Sequence, residues 1–131
     1  MLNVTALYTG ILLVMLVVLS LYVVKGRWSN KVGLGDGANE DMLKRMRTHA
    51  NFIEYVPLAL IGMYLLEVSK HSVIILHALG IALVVARLLH AYGMNRRSPN
   101  FGRAGGASLT LVILLVEAVM LILLYFRGLG V

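Results

Sequence analysis

Two stretches of this chain, Leu2–Val24 and Ala104–Phe126, are long and apolar; the first carries no charge and the second a single acid, Glu117. A helix rises about 1.5 Å per residue, so each run crosses a hydrocarbon core of about 30 Å with little to spare. In lipid every backbone polar group must be satisfied within the fold, and runs of this length satisfy it as helices. Two further apolar segments are too short as they stand: Tyr55–Leu66 and Ser72–Ala86 are uncharged but do not span. A full crossing makes the second helix begin near Met42 and the third continue to about Gly93. Arg47, His49, Asn51 and Glu54 are then inside helix 2, and Arg87 and His90 inside helix 3. The sequence therefore predicts an all-α membrane protein, an antiparallel four-transmembrane-helix bundle. The expected spans are 2–24, 42–68, 72–93 and 104–126, in one domain covering 1–131.

The charge pattern gives an orientation. The formal net charge is +6, and the basic residues sit beside the apolar runs. This placement fits the positive-inside rule rather than nucleic-acid binding. Lys25, Arg27, Lys31, Lys44, Arg45 and Arg47 flank the first loop, and Arg96, Arg97 and Arg103 the third; the opposite side holds Lys70 and Arg127. Both basic loops are expected in the cytoplasm, with both termini on the far side. The first run lacks a basic leader and a small-residue cleavage site, so it reads as a retained span. Short loops point to a bacterial inner membrane. The chain has no cysteine, which excludes disulfides and a protein thiolate nucleophile.

Ionisable residues inside a span face a partner or a wet cavity, not lipid. Arg47, Asn51, Glu54 and Tyr55 are spaced i, i+4, i+7, i+8 and share one helix face. Arg87 and His90, at i and i+3, share another. A purely structural reading pairs Glu54 with Arg87 across the two helices. The number of additional donors favours a binding site near the cytoplasmic leaflet. Pro57 removes the helical partner of the Ile53 carbonyl and makes room beside Glu54 through a kink, or is a tolerated membrane proline. Glu117 reads as a polar contact to another helix. Tyr8, Trp28, Tyr92 and Tyr125 read as interfacial anchors, and His49 as an interfacial residue. Gly62, Gly80 and the Gly105–Gly106 pair read as points of close helix approach. The four histidines are too scattered to argue for a metal. Asn39, followed by Glu40 and Asp41, reads as a helix N-cap.

The pattern Arg47-x-His49-x-Asn51-x-x-Glu54-x-x-Pro57 resembles the helix-2 signature of the MAPEG family, the membrane-associated proteins in eicosanoid and glutathione metabolism. Ala86-Arg87-x-x-His90 is similar to helix 3 of the microsomal glutathione transferases, as is the arginine sixteen residues on, Arg103, after Pro99-Asn100. Length, span number and orientation agree, so the resemblance extends over essentially the whole chain.

The resemblance implies a homotrimer that binds glutathione between subunits near the cytoplasmic face. It implies that Arg47, Asn51, Glu54 and Tyr55 contact glutathione, with Arg87 and His90 contributing from helix 3. The chemistry matches: arginines pair with the carboxylates of glutathione, Glu54 with its ammonium, and Asn51 and Tyr55 with its amides. Arg103 takes the family's catalytic place. A guanidinium there favours a charged sulfur and lowers the thiol pKa from its free value of about 8.5. The implied activity is a membrane glutathione transferase, or a glutathione peroxidase, acting on a lipophilic small molecule or lipid. Glutathione is then a co-substrate. The family often has a tyrosine seven residues after the helix-3 arginine; here that position is Met94. The alternative is a non-catalytic lipid-binding or scaffold protein of the same fold.

Overall fold

A computed structural model describes residues 3–96 and 100–128. They form four helices, α1 (Val4–Asn30), α2 (Glu40–Val68), α3 (Val73–Met94) and α4 (Phe101–Gly128). All four are long and apolar enough to cross a membrane. The expected all-α four-span bundle is the observed architecture. Leu2, Arg97 and Pro99, which figure in the sequence reading, lie outside the described residues.

The helices overrun the expected spans mainly at the polar end, where side chains extend them. The α1 helix continues past Val24 because Ser29 and Asn30 donate to the Gly26 carbonyl at 3.2 and 2.9 Å. It stops where Lys31 adopts a left-handed conformation (φ 54°) and the Val32 N–H closes back on the Arg27 carbonyl at 3.0 Å. The following loop uses Gly35 and Gly37 at positive φ, where a side chain is strained. Asn39 then caps α2 as expected, its Oδ1 accepting from the Met42 N–H at 2.9 Å. Glu40–Lys44 and Asp41–Arg45 pairs (2.6 and 2.8 Å) line its first turns, and α2 is continuous through Pro57. Asn100 caps α4, accepting from the Arg103 N–H at 2.9 Å while donating to the Gly93 carbonyl at 2.7 Å.

The α2 and α3 helices are central. The α1 helix packs on both from one side and α4 on both from the other, and α1 and α4 do not touch among the described residues. The core between them is made of Leu12, Phe52, Val56, Met63, Leu83 and Ile113. Long apolar side chains such as Val14, Leu21, Ile74 and Leu115 cover the outside, as a lipid-facing surface requires. Lipid is as apolar as leucine, so close fit and polar contacts hold the helices together. Glycine provides the fit at Gly62, Gly80 and Gly106, where a Cβ would strike Glu117, the Tyr8 ring and the His90 backbone. Gly105 differs from expectation: it faces open space apart from Phe101 at 3.9 Å.

At the far end, Glu67 closes the bundle. Its two carboxylate oxygens accept from the backbone N–H groups of Val4 and Thr5 at 2.6 and 2.9 Å, at the positive end of α1. Tyr8 is a correction to the sequence reading. It is 5% exposed, bonded to His77 Nδ1 at 2.8 Å and stacked edge-on against that ring, so it is a core residue and not an interfacial anchor. The space left by Gly80 admits the Tyr8 ring. Trp28, Tyr92 and Tyr125 are exposed, as anchors are. His49 is tied inward, to Ser20 Oγ at 3.1 Å.

Candidate functional site

The end of the bundle that carries the α1–α2 and α3–α4 connections gathers the polar residues. Its centre is Arg87 on α3, only 2% exposed. The pairing with Glu54 considered from sequence does not form. Arg87 Nη1 donates instead to Asn51 Oδ1 at 2.8 Å, and Nη2 donates to the Gly106 carbonyl at 3.2 Å and to Thr110 Oγ1. Thr110 also donates to the Gly106 carbonyl, at 2.9 Å. One guanidinium thereby joins α2, α3 and α4. Its Nε has no hydrogen-bond partner, and no carboxylate pairs with Arg87 among the described residues. A buried cation without a counter-charge is costly, and the cost falls when an anion arrives beside it.

The surrounding residues come from all three helices. Tyr55, one turn past Asn51 on α2, is half-buried. His90, one turn along α3, is buried. The backbone of Arg103 reaches this position because Gly93 lets the start of α4 cross the end of α3: a Cβ on Gly93 would strike the Arg103 backbone. Asn51 and Arg87 thus meet directly, Tyr55 is one turn from Asn51 along α2, and His90 and the Arg103 backbone lie one and nearly two turns from Arg87 toward the α3–α4 connection.

Arg47 and Glu54 share the α2 face with Asn51 but are exposed, and no hydrogen bond or ion pair engages either among the described residues. Their neighbours differ: Lys44 and Arg45 are held by Glu40 and Asp41, and Arg45 also donates to the Tyr22 carbonyl at 3.0 Å. Asn51 accepts through Oδ1, so its amide N–H₂ remains to donate. The face therefore offers a positive group, an amide donor and a negative group in sequence along one helix edge. That order suits a small molecule carrying both carboxylates and an ammonium.

Sequence reasoning did not find Thr110 or the Gly106 carbonyl as the anchors of Arg87. The available signal was Gly106 and Thr110 at i and i+4, a small and a polar residue on one face of an otherwise apolar helix. Met94, at the family's tyrosine position, is 8% exposed and offers no hydroxyl. Tyr92 points elsewhere, with the Arg96 guanidinium 4.7 Å above its ring.

Comparison with known proteins agrees with the four-helix membrane fold. A match to the MAPEG family covers residues 5–123. The chain is 32% identical over 113 residues to the Inner membrane protein YecN of Escherichia coli (strain K12), covering 86% of each chain. The YecN protein of E. coli O6:H1 matches to the same extent. Four membrane-crossing helices, the polar stripe on α2, the arginine–histidine pair on α3 and a family match over nearly the whole length make this chain an integral multi-pass membrane protein of the MAPEG family.

Proposed function

We propose that this protein is a membrane glutathione transferase. The observation that carries the reading is Arg87: a buried guanidinium without a carboxylate partner among the described residues, fixed to Asn51. An anionic ligand bound beside Asn51 would lower the cost of that uncompensated charge. In this reading Arg47 binds one glutathione carboxylate and Glu54 its ammonium, while the Asn51 N–H₂ and the Tyr55 hydroxyl bond its amides. Arg87 orients Asn51 and contributes positive potential, and His90 packs beneath the ligand. Arg103 stabilises the glutathione sulfur as thiolate. The thiolate forms a C–S bond to a lipophilic electrophile drawn from the membrane, displacing a leaving group or adding across an activated double bond; the thiol proton goes to solvent. The chain needs no nucleophile of its own.

The exposure of Arg47 and Glu54 supports assembly of copies, because a neighbour's wall would enclose the ligand between subunits; we take the assembly to be a homotrimer. The basic loops favour a cytoplasmic position for this end, and the similarity to YecN supports the bacterial inner membrane.

The test is a glutathione titration on the purified full chain, followed by conjugation assays. Wild type binds; Arg47→Ala and Glu54→Ala do not. Arg103→Ala binds but loses the thiolate's ultraviolet absorbance. Absence of binding by wild type, or undiminished binding by both α2 variants, refutes the site. A second reading, binding without catalysis, is favoured by one observation, the buried Met94 where the family often has a tyrosine. It predicts glutathione or lipid binding with no conjugation of any electrophile.

A further inference from the structure

Glu117 lies on α4, eleven residues past Gly106, or about 16 Å further into the membrane at about 1.5 Å per residue. It is 3% exposed, and its Oε1 has no hydrogen-bond partner among the described residues. The contact to another helix expected from sequence is therefore open at this oxygen. The carboxyl lies over Gly62, where a Cβ would stand 2.6 Å from Oε2. Both residues line a cavity of about 490 Å³ between α2 and α4, together with Leu58, Leu65 and Ala118. Leu58 and Leu65 follow Glu54 at i+4 and i+11, so the cavity continues the α2 edge that carries Arg47 and Glu54. In the assembly inferred above, that edge faces a neighbouring copy.

The same helix exposes an unused donor. Tyr64 is 57% exposed, and its hydroxyl engages nothing among the described residues. It stands two residues from Gly62, about 3 Å along the axis. Helical side chains lean toward the helix N-terminus, so the Tyr64 ring leans away from the turn that ends the span and back to the level of Gly62. Two residues also turn it about 200° around α2 from Gly62, so it faces away from its own chain's cavity. A phenol in hydrocarbon and a buried carboxyl oxygen without a donor are both costly, and a bond between them removes both costs. In a closed ring of copies about an axis normal to the membrane, all copies stand at one depth, and each contact joins two different patches. Tyr64 of one copy is then level with Gly62 and Glu117 of the next. We propose that Tyr64 of one copy enters the α2–α4 cavity of its neighbour and donates its O–H to the neighbour's Glu117. This bond sets the register of the subunits in the leaflet opposite the Arg87 cluster. It rests on the assembly in the preceding reading and not on glutathione.

The chain has no cysteine, so single thiols report contacts cleanly. Tyr64→Cys and Ala118→Cys are placed in separate, differently tagged full chains, co-expressed and oxidised in native membranes. These two chains join through a disulfide, whereas Ile81→Cys, exposed on α3, does not join to Ala118→Cys. The hydrogen bond is tested by association of purified chains in phosphatidylcholine vesicles, read as energy transfer between labelled copies on dilution with lipid. Tyr64→Phe weakens association about threefold per contact, the factor an average hydrogen bond between membrane helices provides. The same change has no effect once Glu117→Leu has removed the acceptor. Copies that associate without joining Tyr64→Cys to Ala118→Cys overturn the proposal and leave the assembly standing; wild type that does not associate overturns both. Equal weakening by Tyr64→Phe with and without Glu117 also overturns it. So does a diazirine-bearing phospholipid that labels Ala118 in the associated wild type, because lipid is then the occupant. The glutathione titration scores the preceding reading separately.

Discussion

Gly105 and Gly106 are adjacent in sequence, chemically identical and both helical, yet replacing each with alanine should move stability in opposite directions. A Cβ on Gly106 would stand 2.5 Å from the His90 backbone nitrogen and 2.6 Å from the Ala86 carbonyl oxygen. These are backbone atoms, which cannot swing aside, so α4 must back away from α3. Overpacking of this kind costs about 1–3 kcal/mol, and a rigid backbone contact belongs at the upper end. The same displacement lengthens the 3.2 Å bond from Arg87 to the Gly106 carbonyl, which at the average for membrane helices is worth about 0.6 kcal/mol. Against this, alanine is preferred over glycine within a helix by about 1 kcal/mol. The net expectation for Gly106→Ala is a loss of about 2–3 kcal/mol from these combined effects. At Gly105 the nearest neighbour is Phe101 at 3.9 Å, an ordinary contact, so only the alanine preference remains, a gain of up to about 1 kcal/mol. Equilibrium unfolding in mixed detergent micelles, followed by far-ultraviolet circular dichroism, measures both. Two shifts of the same sign, or a Gly106 variant as stable as wild type, would show that α3 and α4 do not meet backbone to backbone at this level. The same variant should also loosen the Arg87 anchor, so glutathione affinity should fall with stability.

Further expectations separate binding residues from structural ones. Glu54→Ala should leave unfolding within about 0.5 kcal/mol of wild type, because the side chain is exposed and engages nothing among the described residues, while glutathione binding is lost; a large destabilisation would assign Glu54 to the scaffold. Glu67→Ala removes two charge-assisted bonds from the N-terminus of α1 and should cost about 2 kcal/mol. Amide hydrogen exchange at Val4 and Thr5 should accelerate, and unchanged protection there would remove Glu67 from this role. Thr110→Val leaves the Arg87 guanidinium short of an acceptor and should weaken the bundle, whereas Thr110→Ser keeps the hydroxyl and should not; equal behaviour of the two variants in the same unfolding assay would refute the contact.

The comparison of Gly105 with Gly106 also marks where sequence reading ends. The spans were legible, because lipid admits only long runs of apolar residues with internally bonded backbones, and composition alone reports such runs. The polar stripe on α2 was legible for a related reason: residues so costly in lipid gather on one face, and helical periodicity assigns the face. The Asn39 cap followed from local chemistry. What each polar residue touches was not legible. The sequence allows a Glu54–Arg87 pair, yet Arg87 is taken by Asn51, Gly106 and Thr110. Tyr8 looks like an anchor by position and is a core residue by packing, and Glu117 meets Gly62 and a cavity where a partner was expected. Sequence by itself determined which segments enter the membrane and which helix faces cannot meet lipid, since both follow from transfer energies acting residue by residue. The tertiary structure alone decided which face meets which neighbour, because that depends on rotation and spacing between helices set by a few glycine contacts, and no local preference encodes them.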